Sequence, residues 1–244
     1  MPGPLDHLVA VLLLVAAPIY ASRTFQKFVA EMSRSDTSVR LREYRGTILR
    51  QWLACLLLIG LWIALSRPHA DLGLTIDRGT RGMVGILVTG AVLLFLAFQW
   101  RSITRLTGAA LDPLRAQLEP VRAILPATIA EYRTFQVLAL TAGICEEVLY
   151  RGFLIWYLGA FLGQWPAVLI GAAGFGLAHF YQGRTGILKT GIAGAITGAL
   201  YVVSGSLLWP MILHAAVDLQ GGAIGYRLRE PPAAAAHGEA PGQA

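Results

Sequence analysis

The feature that most constrains this chain is the recurrence of long apolar runs separated by short polar ones. Residues 8–21 read LVAVLLLVAAPIYA, residues 49–65 contain WLACLLLIGLWIAL, and residues 83–100 read MVGILVTGAVLLFLAFQW. From Phe135 the chain stays apolar almost to Tyr226. A bilayer crossing takes roughly 20 apolar residues, and only 14% of the 244 residues are charged, where a soluble domain has about a quarter. The expected fold class is therefore all-α. It is a polytopic transmembrane helix bundle of about eight membrane helices plus an amphipathic helical segment. The chain is expected to be integral to a membrane, the bacterial cytoplasmic membrane in the simplest setting, with the lipid bilayer itself as one partner. Residues 2–7 lack the basic start of a secretory signal, so 8–21 is expected to be a retained first helix with Pro18 as a tolerated kink.

The remaining helices of the second half are expected at about 134–150, 152–163, 166–180, 187–204 and 207–225. Gly171, Gly174, Gly191, Gly194, Gly198 and Gly205 supply the small residues that membrane helices use for close packing. Between 101 and 133, Leu111, Leu114, Leu118, Val121 and Leu125 recur at helical spacing, and Pro113, Pro120 and Pro126 should cut this amphipathic stretch into pieces. Three regions follow: 1–130 with N-terminal helices, a basic loop and the amphipathic segment; 131–228 as a helical core; and 229–244, too poor in bulky residues to order itself.

The net charge is +6. Arg23, Lys27, Arg34, Arg40, Arg42, Arg45 and Arg50 are expected in a polar loop held on the cytoplasmic side against anionic headgroups, not on nucleic acid. With eight crossings, both termini would then lie outside. The cysteines, Cys55 and Cys145, form neither a metal-ligand spacing nor a disulfide framework.

Ionisable residues inside apolar helices are expensive and mark functional positions by default. They gather in three places: Glu146, Glu147 and Arg151 in CEEVLYRG; His179 in GFGLAHF; and His214 with Asp218 in ILHAAVD. Glu147 and Arg151 are four apart and share a helix face, while Glu146 is turned by about 100°. One carboxylate can be neutralised by the arginine while the other faces a cavity as a base. The pair can equally be structural only, and His179 can be a satisfied core histidine. Asp218 can fix the tautomer of His214, or the two can face a substrate side by side. Three clusters on three helices weigh against an architectural reading of all of them.

Glu146 and His179 could deprotonate a water, and His214 as a donor could stabilise a developing oxyanion, which is what peptide hydrolysis requires. No cofactor is firmly indicated. Two histidines and a glutamate are compatible with a divalent metal such as zinc, but H-E-x-x-H is absent and the wide spacing gives a metal no support of its own. A serine mechanism is weak: Ser204 and Ser206 flank Gly205 without G-x-S-x-G. Cys145 has no histidine partner in local sequence. The expected partner is a membrane-associated protein or peptide substrate; the runner-up is a non-catalytic transport or immunity protein using the same polar network.

EEVLYR, the F-x-x-x-H of Phe175 to His179 and the H-x-x-x-D of His214 to Asp218 resemble, in order and spacing, the motifs of the CPBP family. These are the CAAX-prenyl-protease-like and bacteriocin-processing intramembrane proteases, also called Abi, and the resemblance covers about 131–225. It implies that Glu146 activates water with help from His179, that Arg151 positions Glu146 and Glu147, and that His214 and Asp218 line the oxyanion side. The family has been labelled metal-dependent, while its better-understood relatives are viewed as glutamate-based. Its last motif often ends in Asn. Asp218 is an acceptor when ionised, so here the oxyanion would rely on His214 or on a protonated Asp218.

Overall fold

A computed structural model describes residues 1–32 and 38–229. Arg34 and the tail from Glu230 onward lie outside the described residues. Among the described residues the chain is all-α with eight helices. They are α1 (Pro4–Met32), α2 (Ser38–Ala64), α3 (Thr80–Thr104), α4 (Asp112–Leu118), α5 (129–162), α6 (Gln164–Ala178), α7 (Gly183–Ser204) and α8 (Leu208–Leu228).

Among the described residues, four helical segments are long and apolar enough to cross a membrane: Pro4–Met32, Ser38–Ala64, Thr80–Thr104 and Phe180–Ser204. This corrects the expected eight membrane helices. The helices that fall outside the four include α5 and α8, which carry Glu146, Glu147, Arg151, His214 and Asp218. These helices are still rich in apolar residues, but they also carry the polar residues of the candidate site. Leu53, Leu56, Leu57, Ile86, Leu87, Leu94, Phe95 and Phe98 are all exposed on α2 and α3, an outward apolar surface consistent with membrane association.

The expected break between 150 and 152 is also corrected. α5 runs through this region without interruption, as a π-helical segment over Glu147–Leu154. Gly152 does not end the helix. A Cβ there would lie 3.1 Å from both the Leu72 carbonyl oxygen and Leu207, so the glycine allows two other segments to approach. The polar stretch 23–50 is likewise largely helical, belonging to α1 and α2, because Arg, Glu, Gln and Lys are good helix formers without an apolar face. Arg40 is not a free loop charge. It contacts both carboxylate oxygens of the buried Glu131 at 3.0 Å and donates to the Ala123 carbonyl. Glu131 also completes the capping box of α5: Thr128 Oγ1 accepts from Glu131 N at 3.2 Å, and Glu131 Oε2 accepts from Thr128 N at 3.0 Å.

The segment between α3 and α5 is broken as the prolines require, into Gly108–Leu111, α4 and Glu119–Ile124. Leu111, Leu114, Leu118, Val121 and Leu125 are half-buried, while Arg115, Glu119 and Arg122 are exposed. The stripe thus lies against the bundle.

Contacts between helix ends fix the topology. At one end, Arg67 after α2 pairs with the buried Asp6 of α1 at 2.7 Å, His7 meets Tyr157 of α5, and Arg81 of α3 donates to Val202 and Val203 of α7. At the other end, Arg40 of α2 meets Glu131 of α5, and Arg227 of α8 donates to Thr104 and Leu106 after α3. Pro4 and Leu228 therefore lie at opposite ends. The eight-crossing pattern with both termini on one side is not what the helices form, because the two expected helices at 134–150 and 152–163 are one.

Two glycines set the geometry around the site. Gly163, at φ +85° and ψ 165°, makes the turn from α5 to α6, a conformation essentially reserved for glycine. Glu147 and His179 stand sixteen residues on either side of it, so the antiparallel hairpin brings them to roughly the same level. Gly143 lets α5 and α8 touch, since a Cβ there would fall 2.8 Å from Ala215 N and Cβ. Gly143→Leu is expected to force these helices apart at a cost of about 1–3 kcal/mol, read as a lowered unfolding midpoint in detergent. An unchanged midpoint would contradict the packing described.

Candidate active site

α5 sits at the centre of the site. Its first half packs on α2 and α8, and its second half packs on α6, which in turn packs on α7. Glu146 and Glu147 are thereby presented to α2 and α8, and Arg151 to α6 and α7.

Glu147 is fully buried, with 0% of its side chain exposed, and Arg151 is 3% exposed. Arg151 Nη1 lies 2.9 Å from Glu147 Oε1, so the sequence-based pairing is present, carried now by a π-helical segment. The same oxygen contacts His214 Nδ1 at 2.7 Å. A carboxylate only accepts, so Nδ1 carries the hydrogen and donates it. Glu147, rather than Asp218, thus holds the His214 ring at Nδ1. The His214 Nε2 edge is turned to two other carboxylates, 3.5 Å from Asp218 Oδ2 and 3.9 Å from Glu146 Oε2.

Glu146 Oε1 accepts a hydrogen bond of 2.6 Å from Gln51 Nε2. Its Oε2 is buried and has no hydrogen-bond partner among the described residues. A single water can bridge a separation such as the 3.9 Å between Glu146 Oε2 and His214 Nε2.

Phe175 ties α6 to this group. Its ring stands 4.2 Å below the Arg151 guanidinium carbon, 5.9 Å from the His214 ring in an edge-on contact, and 4.6 Å from the His179 ring. Gly194 of α7 makes room for it: a Cβ there would lie 3.3 Å from Phe175 and from Arg151 Nη2. His179 Nδ1 lies 2.9 Å from the Phe175 carbonyl oxygen, which only accepts, so Nδ1 carries a hydrogen and donates it. His179 joins the cluster through Phe175, and its ring also faces Tyr181 at 5.7 Å.

All six residues singled out from sequence thus fall in one region. Glu146, Glu147, Arg151, His214 and Asp218 form one connected polar network, and His179 adjoins it through an aromatic ring. Exposure rises from the buried Glu147 and Arg151 to Glu146 at 16% and Asp218 at 37%. The exposed members lie on the side toward the start of α5 and the end of α8. Gln51 was not anticipated. Its only signal in the sequence is a polar amide at the start of the apolar run 49–65, which reads equally well as a membrane boundary.

Among the described residues no group of three His, Cys, Asp or Glu side chains is arranged to hold a metal ion. Glu147 engages His214 Nδ1 and the Phe175 carbonyl engages His179 Nδ1, which leaves Nε2 as the ring nitrogen each histidine can turn to another partner. Two half-open cavities of about 500 and 490 Å³ lie elsewhere, around Trp62 and Leu72 and around Arg81 and Tyr201.

Fold and site together describe an α-helical protein with long apolar helices and a glutamate–histidine cluster between them. Residues 129–220 match the family model described as Type II CAAX prenyl endopeptidase Rce1-like. The match covers part of the chain and supports assignment at the level of the CAAX-protease family, with a protease-like role. Neither the comparison with curated proteins nor that with solved structures gives a match.

Proposed function

We propose that this protein is an intramembrane endopeptidase that hydrolyses a peptide bond in a membrane-associated protein or peptide, with CAAX-type substrates the class suggested by the family match. The observation that carries the reading is the meeting of Glu146 Oε2 and His214 Nε2 at 3.9 Å. The base of the first motif and the donor of the last then act on one small volume. Glu146 takes a proton from water, and the water oxygen attacks the scissile carbonyl carbon. His214, protonated at both nitrogens and held at Nδ1 by Glu147, donates from Nε2 to the oxyanion. As the C–N bond breaks, the proton held by Glu146 passes to the leaving amine. His179, held at Nδ1 by the Phe175 carbonyl, assists in holding the water. Asp218 stands beside His214 Nε2 as an acceptor toward His214 or a substrate N–H.

The test is a comparison of new protein termini in membranes holding the wild type and membranes holding Glu146→Gln. Cleavage products confined to the wild type support the reading. Identical termini in both contradict it.

The protein is further proposed to be integral to the membrane. Arg40, Arg42, Arg45, Arg105, Arg133, Arg227 and Arg229 gather where α2 and α5 begin and α3 and α8 end, which the positive-inside tendency places in the cytoplasm. Pro4 then lies outside, and the exposed side of the cluster opens inward, as a cytosolic substrate requires. Asp218→Cys, in a background lacking Cys55 and Cys145, is expected to react with a membrane-impermeant thiol reagent applied from the cytoplasmic face only. Labelling from outside would invert the assignment.

A further inference from the structure

We infer that Gln51 is a positioning residue for Glu146, an inference that rests on the endopeptidase reading above. Gln51 belongs to α2, outside the segment 129–220 that matches the family model. A carboxylate that serves as a base must present one particular oxygen, yet a glutamate side chain rotates freely about its last bond unless something holds the other oxygen. Here Gln51 Nε2 holds Oε1 at 2.6 Å. Oε2 is the oxygen without a protein hydrogen bond among the described residues, and it is the one 3.9 Å from His214 Nε2. The amide therefore selects which oxygen faces the reacting water.

The choice of residue follows from the surroundings. A lysine or arginine at this point would tie up the carboxylate as an ion pair, as Arg151 does to Glu147. An apolar residue would leave Oε1 without its donor. A neutral amide satisfies one oxygen and adds no charge. Its backbone is fixed by neighbouring contacts between α2 and α5: Trp52 Nε1 donates to Thr141 Oγ1 at 3.2 Å, and Cys55 and Cys145 are both fully buried. α2 thus contributes to the site although it carries none of the three motifs.

The experiment measures turnover of a peptide spanning a cleavage site found in the termini comparison, with purified protein in bilayers. Gln51→Met keeps the size of the side chain and removes the donor. Its kcat is expected to fall 10- to 100-fold, the scale of misplacing a catalytic group by a fraction of an ångström to an ångström, with KM within threefold of wild type. Trp52→Phe, which loses the neighbouring hydrogen bond to Thr141, is expected to keep its kcat within threefold and so separates positioning from helix packing. Should Gln51→Met fail to fold, Gln51→Ala removes the donor without bulk and carries the same readout. Wild-type kcat in the Gln51 variant overturns the inference, as does an equal loss of kcat in Trp52→Phe. If Glu146→Gln also retains turnover, the endopeptidase reading itself has failed. If Glu146→Gln is inactive and Gln51→Met is not impaired, only the role of Gln51 has failed.

Discussion

Glu146→Gln is expected to lower kcat by at least 10²- to 10⁴-fold, the range that a positioned general base contributes, while the protein stays folded. The amide is nearly isosteric with the carboxylate. Gln51 Nε2 keeps an acceptor in the Oε1 position at 2.6 Å, and the 3.9 Å contact to His214 is not one that folding depends on. What changes is the loss of a basic oxygen at Oε2. KM should move little, because the proton is transferred only during the reaction. Steady-state hydrolysis of a peptide substrate in bilayers measures this directly. Turnover within tenfold of wild type would remove Glu146 from the chemistry.

The second large effect concerns stability. Arg151→Met is expected to destabilise the protein by about 3–5 kcal/mol, the cost of removing one partner of a buried ion pair. Glu147 is 0% exposed and Arg151 only 3%, so water cannot take over the role of the guanidinium. The change also removes the cation from the face of Phe175, 4.2 Å away. Glu147→Gln together with Arg151→Met should recover part of the loss, because the carboxylate that has lost its arginine is then removed as well, and the double-mutant cycle reads that coupling. A shift of the unfolding midpoint in Arg151→Met no larger than that of a surface substitution would show that the pair is not buried as described. These two variants separate two adjacent carboxylates by role: Glu146 by turnover at retained stability, Glu147 and Arg151 by stability first.

The different directions of the two glutamates were readable from EEVLYR, because adjacent residues on a helix cannot share a face and only Glu147 can meet an arginine four residues on. The meeting of α5, α6 and α8 was readable in outline from the cost of placing Glu146, His179 and His214 in apolar helices. Three things were not. The continuity of α5 was hidden by Gly152, which looks like an interruption in sequence and proves to be a point of close approach to Leu72 and Leu207. The number of apolar crossings was overstated, because stretches rich in Leu and Ala were counted without discounting the polar residues that α5 and α8 carry. Gln51 was hidden because an uncharged amide gives no signal of burial. Spacing offered Asp218, four residues away on the same helix, as one carboxylate able to fix the His214 ring. The 2.7 Å contact from Glu147 on another helix shows why local spacing fails there: tertiary packing brings a nearer partner.

The most direct test of the whole account is an experimental density map of the protein in a lipid nanodisc, at a resolution that shows ordered water. A water within hydrogen-bond reach of both Glu146 Oε2 and His214 Nε2, with His179 facing the same volume, is the result the account predicts. Side chains of Glu146 and His214 turned toward different surfaces, with no common water between them, would contradict it.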